Sequence, residues 1–335
     1  ARIARWAATP STASWERGSG EKPGAFAASA LALPAARSAG VLETEFTRAR
    51  EIWERVPVLP PDQYEALVVQ ISEGCPWDRC HFCSLYRETP FRDRPLDEIE
   101  RHLDEALVFL GASASRVRRV FLGQANALLR PTDELLQIFE LIRRRISVPD
   151  PGMPPREQRM WLAAHLPSAD GFYAFVDAFH KPRPVAEWRA LADAGLRRVY
   201  IGLESGDGER LRELGKPLDP SRAVAMVDDL HEAGLAAGVI LMTGIAPAAD
   251  EERHRVLSAG VIDAMQLRTG DQVYLSPLVH PSGAPLEGME VSEGDVVQSG
   301  PALTRMREAL RAHVGRGVPI ATYDLDRLGA RTPRG

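Results

Sequence analysis

Cysteine is scarce in this sequence, and its placement is unusual. The 335 residues include only three cysteines, Cys75, Cys80 and Cys83, all on one short segment. An odd number of cysteines this close together excludes a disulfide framework, which spaces its cysteines along the chain. The three thiols are therefore predicted to be metal ligands in a reducing compartment, the cytoplasm.

Long apolar runs and an excess of positive charge are also missing. No apolar stretch reaches the roughly 18 residues of a membrane-spanning helix, so we expect no membrane partner. The formal net charge is −5, which argues against a nucleic-acid-binding protein with a broad basic face. Hydrophobic residues at 44% and charged residues at 26% are typical of a globular protein.

Short apolar, partly β-branched segments alternate with amphipathic ones and predict six strand–helix repeats. Connections of this length favour parallel pairing, and right-handed crossovers would curl the sheet towards a barrel. The predicted fold class is α/β, a partial (β/α)6 barrel. Its strands are expected at 66–71, 117–122, 172–179, 198–203, 237–242 and 273–278.

Composition divides the chain into three parts. Residues 1–60 are predicted to be an N-terminal extension, flexible or loosely packed because its first forty residues are rich in Ala, Ser, Pro and Gly. The strand–helix repeats form a core over residues 61–285. Residues 286–335 are expected to form a C-terminal helical extension.

The cysteines follow the first predicted strand with the spacing C-x4-C-x2-C. Ligands of parallel α/β folds bind at the carboxyl ends of the strands, so this segment is expected at the functional edge. Three thiolates suit one face of a cubane iron–sulfur cluster or three corners of a zinc tetrahedron. Zinc would need a fourth ligand, for which His81 or a distant carboxylate is available.

This cysteine segment resembles that of the radical S-adenosylmethionine (radical SAM) superfamily, and the resemblance covers about residues 64–280. Phe82 stands where the family has an aromatic residue before its last cysteine. The usual family spacing is C-x3-C-x2-C, so this chain has one extra residue. The resemblance implies a [4Fe-4S] cluster on Cys75, Cys80 and Cys83, S-adenosylmethionine (SAM) as cosubstrate, and an electron donor such as flavodoxin or ferredoxin.

By the same resemblance, the turn after the second predicted strand would bind the methionyl amino group of SAM. Here that turn is Gly123-Gln-Ala-Asn126, without the family's usual acidic residue. Gln124 and Asn126 offer side-chain and backbone oxygens to an ammonium, though more weakly than a carboxylate. A simple strand–helix turn is the alternative interpretation.

The sequence Gly202-Leu-Glu-Ser-Gly206 with Lys216 resembles a further segment found in many radical SAM subfamilies. The resemblance implies that Glu204 and Ser205 lie near the SAM ribose and that Lys216 meets a carboxylate. A surface turn with a solvated Glu and Lys is the alternative. Ser276, at the end of the sixth predicted strand, is expected to give a backbone contact to adenine.

The function implied is reductive cleavage of SAM to a 5′-deoxyadenosyl radical, which abstracts hydrogen from a small organic substrate that the sequence does not identify. A zinc- or Fe–S-stabilised binding or carrier protein without turnover is the alternative hypothesis. Near the C-terminus, Tyr323 is expected to help cover the barrel mouth. The candidate pocket residues are Tyr86, Arg87, Asp177, His180, Arg268 and His280.

Overall fold

The computed structural model describes residues 39–53, 58–83, 85–87, 89–278 and 299–323. Most of the extension predicted over residues 1–60 lies outside this part of the chain, as does His280. The first described residues, Ala39–Ile52, form a helix. None of the helices in the described ranges has the length and hydrophobicity that a bilayer crossing requires.

The described residues form a central parallel sheet and a separate short ribbon. The strands are β1 (Leu67–Gln70), β2 (Ser72–Glu73), β3 (Arg92–Asp93), β4 (Val120–Gly123), β5 (Phe172–Val176), β6 (Leu196–Glu204), β7 (Ala236–Thr243), β8 (Gln272–Pro277) and β9 (Ile320–Thr322). Seven of them form the parallel sheet, in the order β1-β4-β5-β6-β7-β8-β9. The short strands β2 and β3 form the antiparallel ribbon.

All six predicted strands are confirmed within a few residues, and the α/β fold class with them. The strand β9 was not predicted, because the residues after 286 were interpreted as helical. It has only three residues, too few for a periodic signal in the sequence. Its pairing with β8 extends the sheet by one strand.

The helices pack mainly on one face of the sheet, although the helix Pro155–Ala164 has no buried residue. They are α1 (Ala39–Ile52), α2 (Leu96–Leu110), α3 (Thr132–Arg143), α4 (Pro155–Ala164), α5 (Val185–Asp193), α6 (Gly208–Glu213), α7 (Pro220–Glu232), α8 (Glu251–Ala264) and α9 (Ser299–Arg311). In α7, for example, the Asp219 carboxylate accepts the Ser221 amide and Pro220 occupies the first turn, a favourable helix start. The buried face of α7 then packs on the sheet through Met226, Val227 and Leu230.

The opposite face of the sheet, here called the inner face, is lined mainly by aromatic side chains. Tyr200 and Tyr274 are fully buried there, and their ring centroids lie 5.9 Å apart. Offset aromatic pairs at this distance add to the stability from burial alone. The buried members of this cluster are Val68, Phe121, Tyr173, Tyr200, Ile240, Tyr274 and Tyr323.

A polar cluster around Asp62 lies towards the amino ends of the strands. The Asp62 carboxylate accepts hydrogen bonds from Tyr200 at 2.7 Å and Tyr274 at 2.6 Å, and it pairs with Arg198 at 2.7 Å. These bonds attach the segment before β1 to the inner face. The carboxyl ends of the strands, where the cysteines lie, remain available for function.

Candidate functional site

The cluster loop, defined as residues 74–83, leaves the sheet directly after β1 and β2. The β2–β3 ribbon pairs Glu73 with Arg92 at its base, and Arg92 and Arg94 bind the nearly buried Glu73 carboxylate. Gly74 has φ +67°, and a Cβ there would lie 2.4 Å from the Thr89 carbonyl oxygen. Only glycine allows the chain to leave the sheet in this way.

All three cysteines in this loop are free and half-buried. Burial raises the pKa of the Cys80 thiol to about 12 and that of Cys83 to about 11, and it also raises the pKa of Cys75. For Cys80 and Cys83 burial has the largest effect, and the negative charge of another cysteine adds to it: Cys83 raises the pKa of Cys80, and Cys75 raises that of Cys83. Thiols with raised pKa values are protonated at neutral pH, and a metal that binds them must displace those protons.

A buried ion network lies at the carboxyl end of the neighbouring strands. The Lys216 ammonium is 2.8 Å from the Asp177 carboxylate, which follows β5, and 3.2 Å from the Glu204 carboxylate at the end of β6. Lys216 and Glu204 are 4% and 8% exposed. The network was not visible in the sequence, because its three members are 12 to 39 residues apart.

Burial and the neighbouring charges shift the pKa of each member of this network in opposite directions. Burial alone lowers the pKa of Lys216, but the two carboxylates outweigh it and raise that pKa. Burial raises the pKa of Glu204 more than Lys216 lowers it. For Asp177, Lys216 and the Asn126 amide outweigh burial, and its pKa falls. Lys216 is therefore charged at neutral pH, and Asp177 is its principal counter-ion.

The local backbone explains why Glu204 lies in this network. The β6–β7 pairing shifts register between Gly202 and Glu204, and Glu204 has φ 61°. A bulge of this kind redirects a side chain at a strand end. Positive φ is unfavourable for a residue with a Cβ, so the fold holds Glu204 in this conformation.

The turn after β4 connects to both the cluster loop and the ion network. The Gln124 side-chain oxygen accepts the Gly74 amide at 2.9 Å, so Gln124 lies against the start of the cluster loop. The Asn126 side chain donates to Asp177 at 2.7 Å and accepts the Asp177 amide at 2.6 Å. Gly123 ends β4 beside Gln70, at the same edge of the sheet. The structure therefore places Gln124 against the cluster loop, Asn126 against the ion network and Gly123 at the end of β4, next to β1.

Ser205 is placed differently from its neighbour Glu204. Its side chain is fully buried and lies 2.8 Å from His254 Nδ1, and it accepts the Asp207 amide at 3.0 Å. His254 Nε2 lies 3.1 Å from the Met242 carbonyl, so Nε2 carries the proton and Nδ1 accepts from the Ser205 hydroxyl. The Ser205 side chain thus bonds to the helix layer. Its amide donates to the Leu203 carbonyl at 2.7 Å, so only the Ser205 carbonyl remains for a ligand.

Phe82 and Ser276 both lie beside an apolar cluster at the same edge. Phe82 packs against the cluster formed by Leu214, Met242, Ile245 and Leu278. Ser276 pairs with Met242 at the end of β8 and is partly exposed.

Three of the other candidate pocket residues, Tyr86, Arg87 and Arg268, lie in different surroundings. Tyr86 is buried, and the charges of Cys83 and Cys75 add to the effect of burial in raising its pKa. The Arg87 guanidinium donates to the carbonyls of Asp78 and Cys80, so it braces the cluster loop from outside. Arg268 donates to the His231 carbonyl before β8, at the opposite edge of the sheet, and does not belong to this site.

Two further positions refine the sequence interpretation. Tyr323 lies within the inner face, 5.9 Å from the Tyr274 ring, and not over the barrel mouth. His180 stacks against Phe179, with ring centroids 4.4 Å apart. Its Nε2 is buried and has no hydrogen-bond partner among the described residues. Asp177 was predicted as a pocket residue, but its pairing with Lys216 is visible only in the structure.

The donor set fits a four-iron cluster better than a single structural zinc ion. Cys75, Cys80 and Cys83 are free, lie on one loop and are the only cysteines of the sequence. Three thiolates suit one face of a cubane cluster, whereas a structural zinc site is normally completed by a fourth protein ligand.

Comparison with known proteins supports the same assignment. The radical SAM superfamily profile matches residues 69–259, more than half of the chain. A curated relative, 4′-phospho-dehydrooxetanocin synthase from Priestia megaterium, is 24% identical over 162 residues, which are 45% of this chain and 20% of that protein. This chain therefore spans only a minor part of that relative.

Several solved structures are also similar to this chain. The [FeFe]-hydrogenase maturase HydG has a TM-score of 0.48 and 12% identity, with 87% of this chain and 57% of HydG covered. Methylornithine synthase has a TM-score of 0.47 and 14% identity, with 86% and 79% covered. From the match of the family profile to most of the strand–helix core, this chain belongs to the radical SAM superfamily.

Proposed function

We propose that this chain is a radical SAM enzyme that cleaves SAM reductively and removes a hydrogen atom from a small organic substrate. When bound, the reduced [4Fe-4S] cluster and SAM supply a 5′-deoxyadenosyl radical. The cofactor provides the difficult chemistry, and the protein provides binding, orientation and protection from side reactions. The proposed core is residues 61–285, which include the family match at 69–259.

Cys75, Cys80 and Cys83 are proposed to hold the cluster. They are the chain's only cysteines, so the loop offers three thiolates and no fourth. Three protein ligands leave one iron of a four-iron cluster open. Such a position is available to the amino and carboxylate groups of SAM.

The polar groups beside the loop are proposed to orient SAM. Lys216 carries a positive charge suited to the SAM carboxylate, and Glu204 offers a carboxylate to the ribose hydroxyls. Gln124 and Asn126 are proposed to offer amide oxygens to the amino group, and Gly123 precedes them at the end of β4. Because the Ser205 side chain is bonded to His254, its contribution is proposed to come from the backbone.

The apolar cluster at this edge is proposed to receive the adenine. Phe82 and Met242 belong to that cluster, and the neighbouring Ser276 offers backbone groups at the end of β8. The aromatic inner face below is packed by Tyr200 and Tyr274 and limits how deeply a ligand can enter. The same packing keeps water from the lower part of the site.

The reaction also needs an electron. We propose a one-electron donor such as flavodoxin or ferredoxin, which would act from the exposed side of the cluster loop. Three free thiols suit a reducing compartment such as the cytoplasm.

The observation that carries the proposal is that the three-cysteine loop is hydrogen-bonded to residues 214 and 215, directly before the buried lysine of the Lys216–Asp177–Glu204 network. The test is anaerobic: the protein is reconstituted with iron and sulfide, mixed with SAM and dithionite, and analysed for 5′-deoxyadenosine. We expect about four irons per chain and product formation that is lost in Cys75→Ala, Cys80→Ala and Cys83→Ala. A protein that binds zinc and no iron under these conditions would overturn the proposal.

A further inference from the structure

The cluster loop is bonded directly to residues 214–216, here called the lysine segment. The indole Nε1 of Trp77 donates to the Gly215 carbonyl at 2.8 Å, and the His81 amide donates to the Leu214 carbonyl at 2.8 Å. Two successive carbonyls of the lysine segment are thus held by two residues of the loop. The next residue along the segment is Lys216.

The two backbones lie so close together at this contact that there is no room for a side chain at position 215. Gly215 has φ +71°, and a Cβ at this position would lie 2.7 Å from the Arg79 carbonyl oxygen and 3.2 Å from His81 Nε2. A side chain at Gly215 would therefore push the loop away from the segment. The fit between the two requires both a left-handed backbone and the absence of a side chain.

The Trp77 ring connects the same two regions by a second route. It packs edge-on against Phe179, with ring centroids 5.7 Å apart. The Lys216 ammonium lies 5.9 Å from the centroid of that Phe179 ring. Trp77 therefore contacts the lysine segment through its N–H and the surroundings of the lysine ammonium through its ring.

From these contacts we propose that Trp77 is a positioning residue that fixes the cluster loop to the lysine segment. Trp77 would keep the iron-binding thiols and the Lys216 ammonium at one relative placement. Resting on the proposed function, this inference implies that the cluster and the SAM carboxylate are held by one rigid unit. Binding at either part then stabilises the other, which is a coupling between the two sites.

The matched pair of variants is Trp77→Phe and Trp53→Phe. Trp53 makes the same kind of bond elsewhere: its Nε1 donates to the Val68 carbonyl at 2.8 Å, and its ring packs edge-on against Phe109. Each variant keeps an aromatic ring and loses one N–H donor. A general loss of stability would affect both alike, but only Trp77→Phe should disturb the site.

The primary measurement is hydrogen exchange of the metal-free protein. Loss of one hydrogen bond should speed exchange of the His81 amide about 2- to 10-fold in Trp77→Phe and leave it unchanged in Trp53→Phe. In the reconstituted protein, SAM affinity should fall by a similar factor of about 2- to 10-fold in Trp77→Phe alone. Thermal unfolding of both variants shows whether general stability differs.

Glycine variants test the same contact from the other side. Gly215→Ala and Gly234→Ala both place a side chain at positive φ, +71° and +80°, but a Cβ at Gly234 meets nothing within 4 Å. Both should lower the unfolding temperature. Only Gly215→Ala should also speed His81 exchange and release iron faster to a chelator.

The outcomes separate this inference from the proposed function. Equal His81 exchange in Trp77→Phe and Trp53→Phe would overturn the inference, and so would equal SAM affinity in the two variants. If the wild-type protein bound neither iron nor SAM, the proposed function would fail. The exchange experiment would then still decide whether Trp77 fixes the loop.

Discussion

Gly202 faces the Lys216 ammonium so closely that a methyl group added at Gly202 would lie 2.9 Å from Nζ. The same methyl group would lie 2.4 Å from the Glu204 carboxylate oxygen. The ion network therefore occupies the space that a side chain at position 202 would take. A glycine on an otherwise well-packed strand is a mark of such a close approach.

Gly202→Ala should displace Glu204 and Lys216 without removing either. We expect SAM affinity of the reconstituted protein to fall by about 10-fold, because misplaced charge-assisted bonds lose much of their strength. The matched control is Gly208→Ala, where the nearest atom would lie at an ordinary 3.5 Å. Equal affinities in the two variants would contradict the placement of SAM beside this network.

Lys216→Met should destabilise the metal-free protein strongly. It leaves Asp177 and Glu204 buried without their cation, and breaking a buried pair in this way costs about 3–5 kcal/mol. Urea unfolding followed by circular dichroism measures the loss. Lys181→Met removes an exposed lysine and should change the free energy of unfolding by less than about 0.5 kcal/mol.

A second arm of that experiment restores charge balance. Adding Asp177→Asn and Glu204→Gln to Lys216→Met removes both uncompensated carboxylates and should recover part of the lost stability. If stability did not recover, the loss in Lys216→Met would come from packing around the lysine stem and not from the unpaired charges.

Because His102 is buried, we expect the free energy of unfolding to fall in acid. Burial lowers its pKa to about 4 from an ordinary 6.5, and its Nε2 accepts the Gln70 amide at 3.1 Å. Between these pH values the unfolded chain binds a proton that the folded protein does not, so stability falls as the pH drops from 6.5 towards 4. The expected loss is about 1.5 kcal/mol between pH 6.5 and 5.

The measurement is urea unfolding at several pH values. His102→Gln should be less stable than wild type but should show a flatter dependence on pH in this interval. His165→Gln changes an exposed histidine and should keep the wild-type slope. If His102→Gln also kept that slope, other groups would be responsible for the acid sensitivity.

Ser205→Ala and Glu204→Gln should separate stability from SAM binding. Ser205→Ala removes the acceptor for the Asp207 amide and the donor to His254, and should cost about 1–3 kcal/mol of stability. Its SAM affinity should stay close to wild type. Glu204→Gln should instead weaken SAM binding by about 10-fold or more, since it removes a charged hydrogen-bond partner.

Ser258→Ala provides the comparison for that pair. Ser258 is also fully buried, and its hydroxyl accepts the Gly206 amide at 2.9 Å. It should therefore resemble Ser205→Ala in both measurements. A selective loss of SAM affinity in Ser205→Ala would place its side chain, and not only its backbone, in the ligand site.

The strands and the cysteine loop were predictable because their signals are local. Short, partly β-branched apolar runs such as Leu67–Gln70 and Ala236–Thr243 are typical of buried parallel strands, and both are strands here. The spacing of Cys75, Cys80 and Cys83 lies within a single loop. By contrast, the three residues of β9 are too few to show a periodicity, and their pairing with Val273–Leu275 of β8 forms only in the folded protein.

The sequence alone determined the fold class and predicted the three cysteine ligands, because hydrophobic periodicity and ligand spacing act over short stretches of chain. It also identified Glu204 and Lys216 as candidate site residues, but it did not show that they form an ion pair. Only the tertiary structure decided that Asp177 neutralises Lys216, that the Ser205 side chain belongs to the helix layer, and that Trp77 joins the cluster loop to the lysine segment. Such pairings join distant parts of the chain, and their energies depend on burial and distances that exist only after folding.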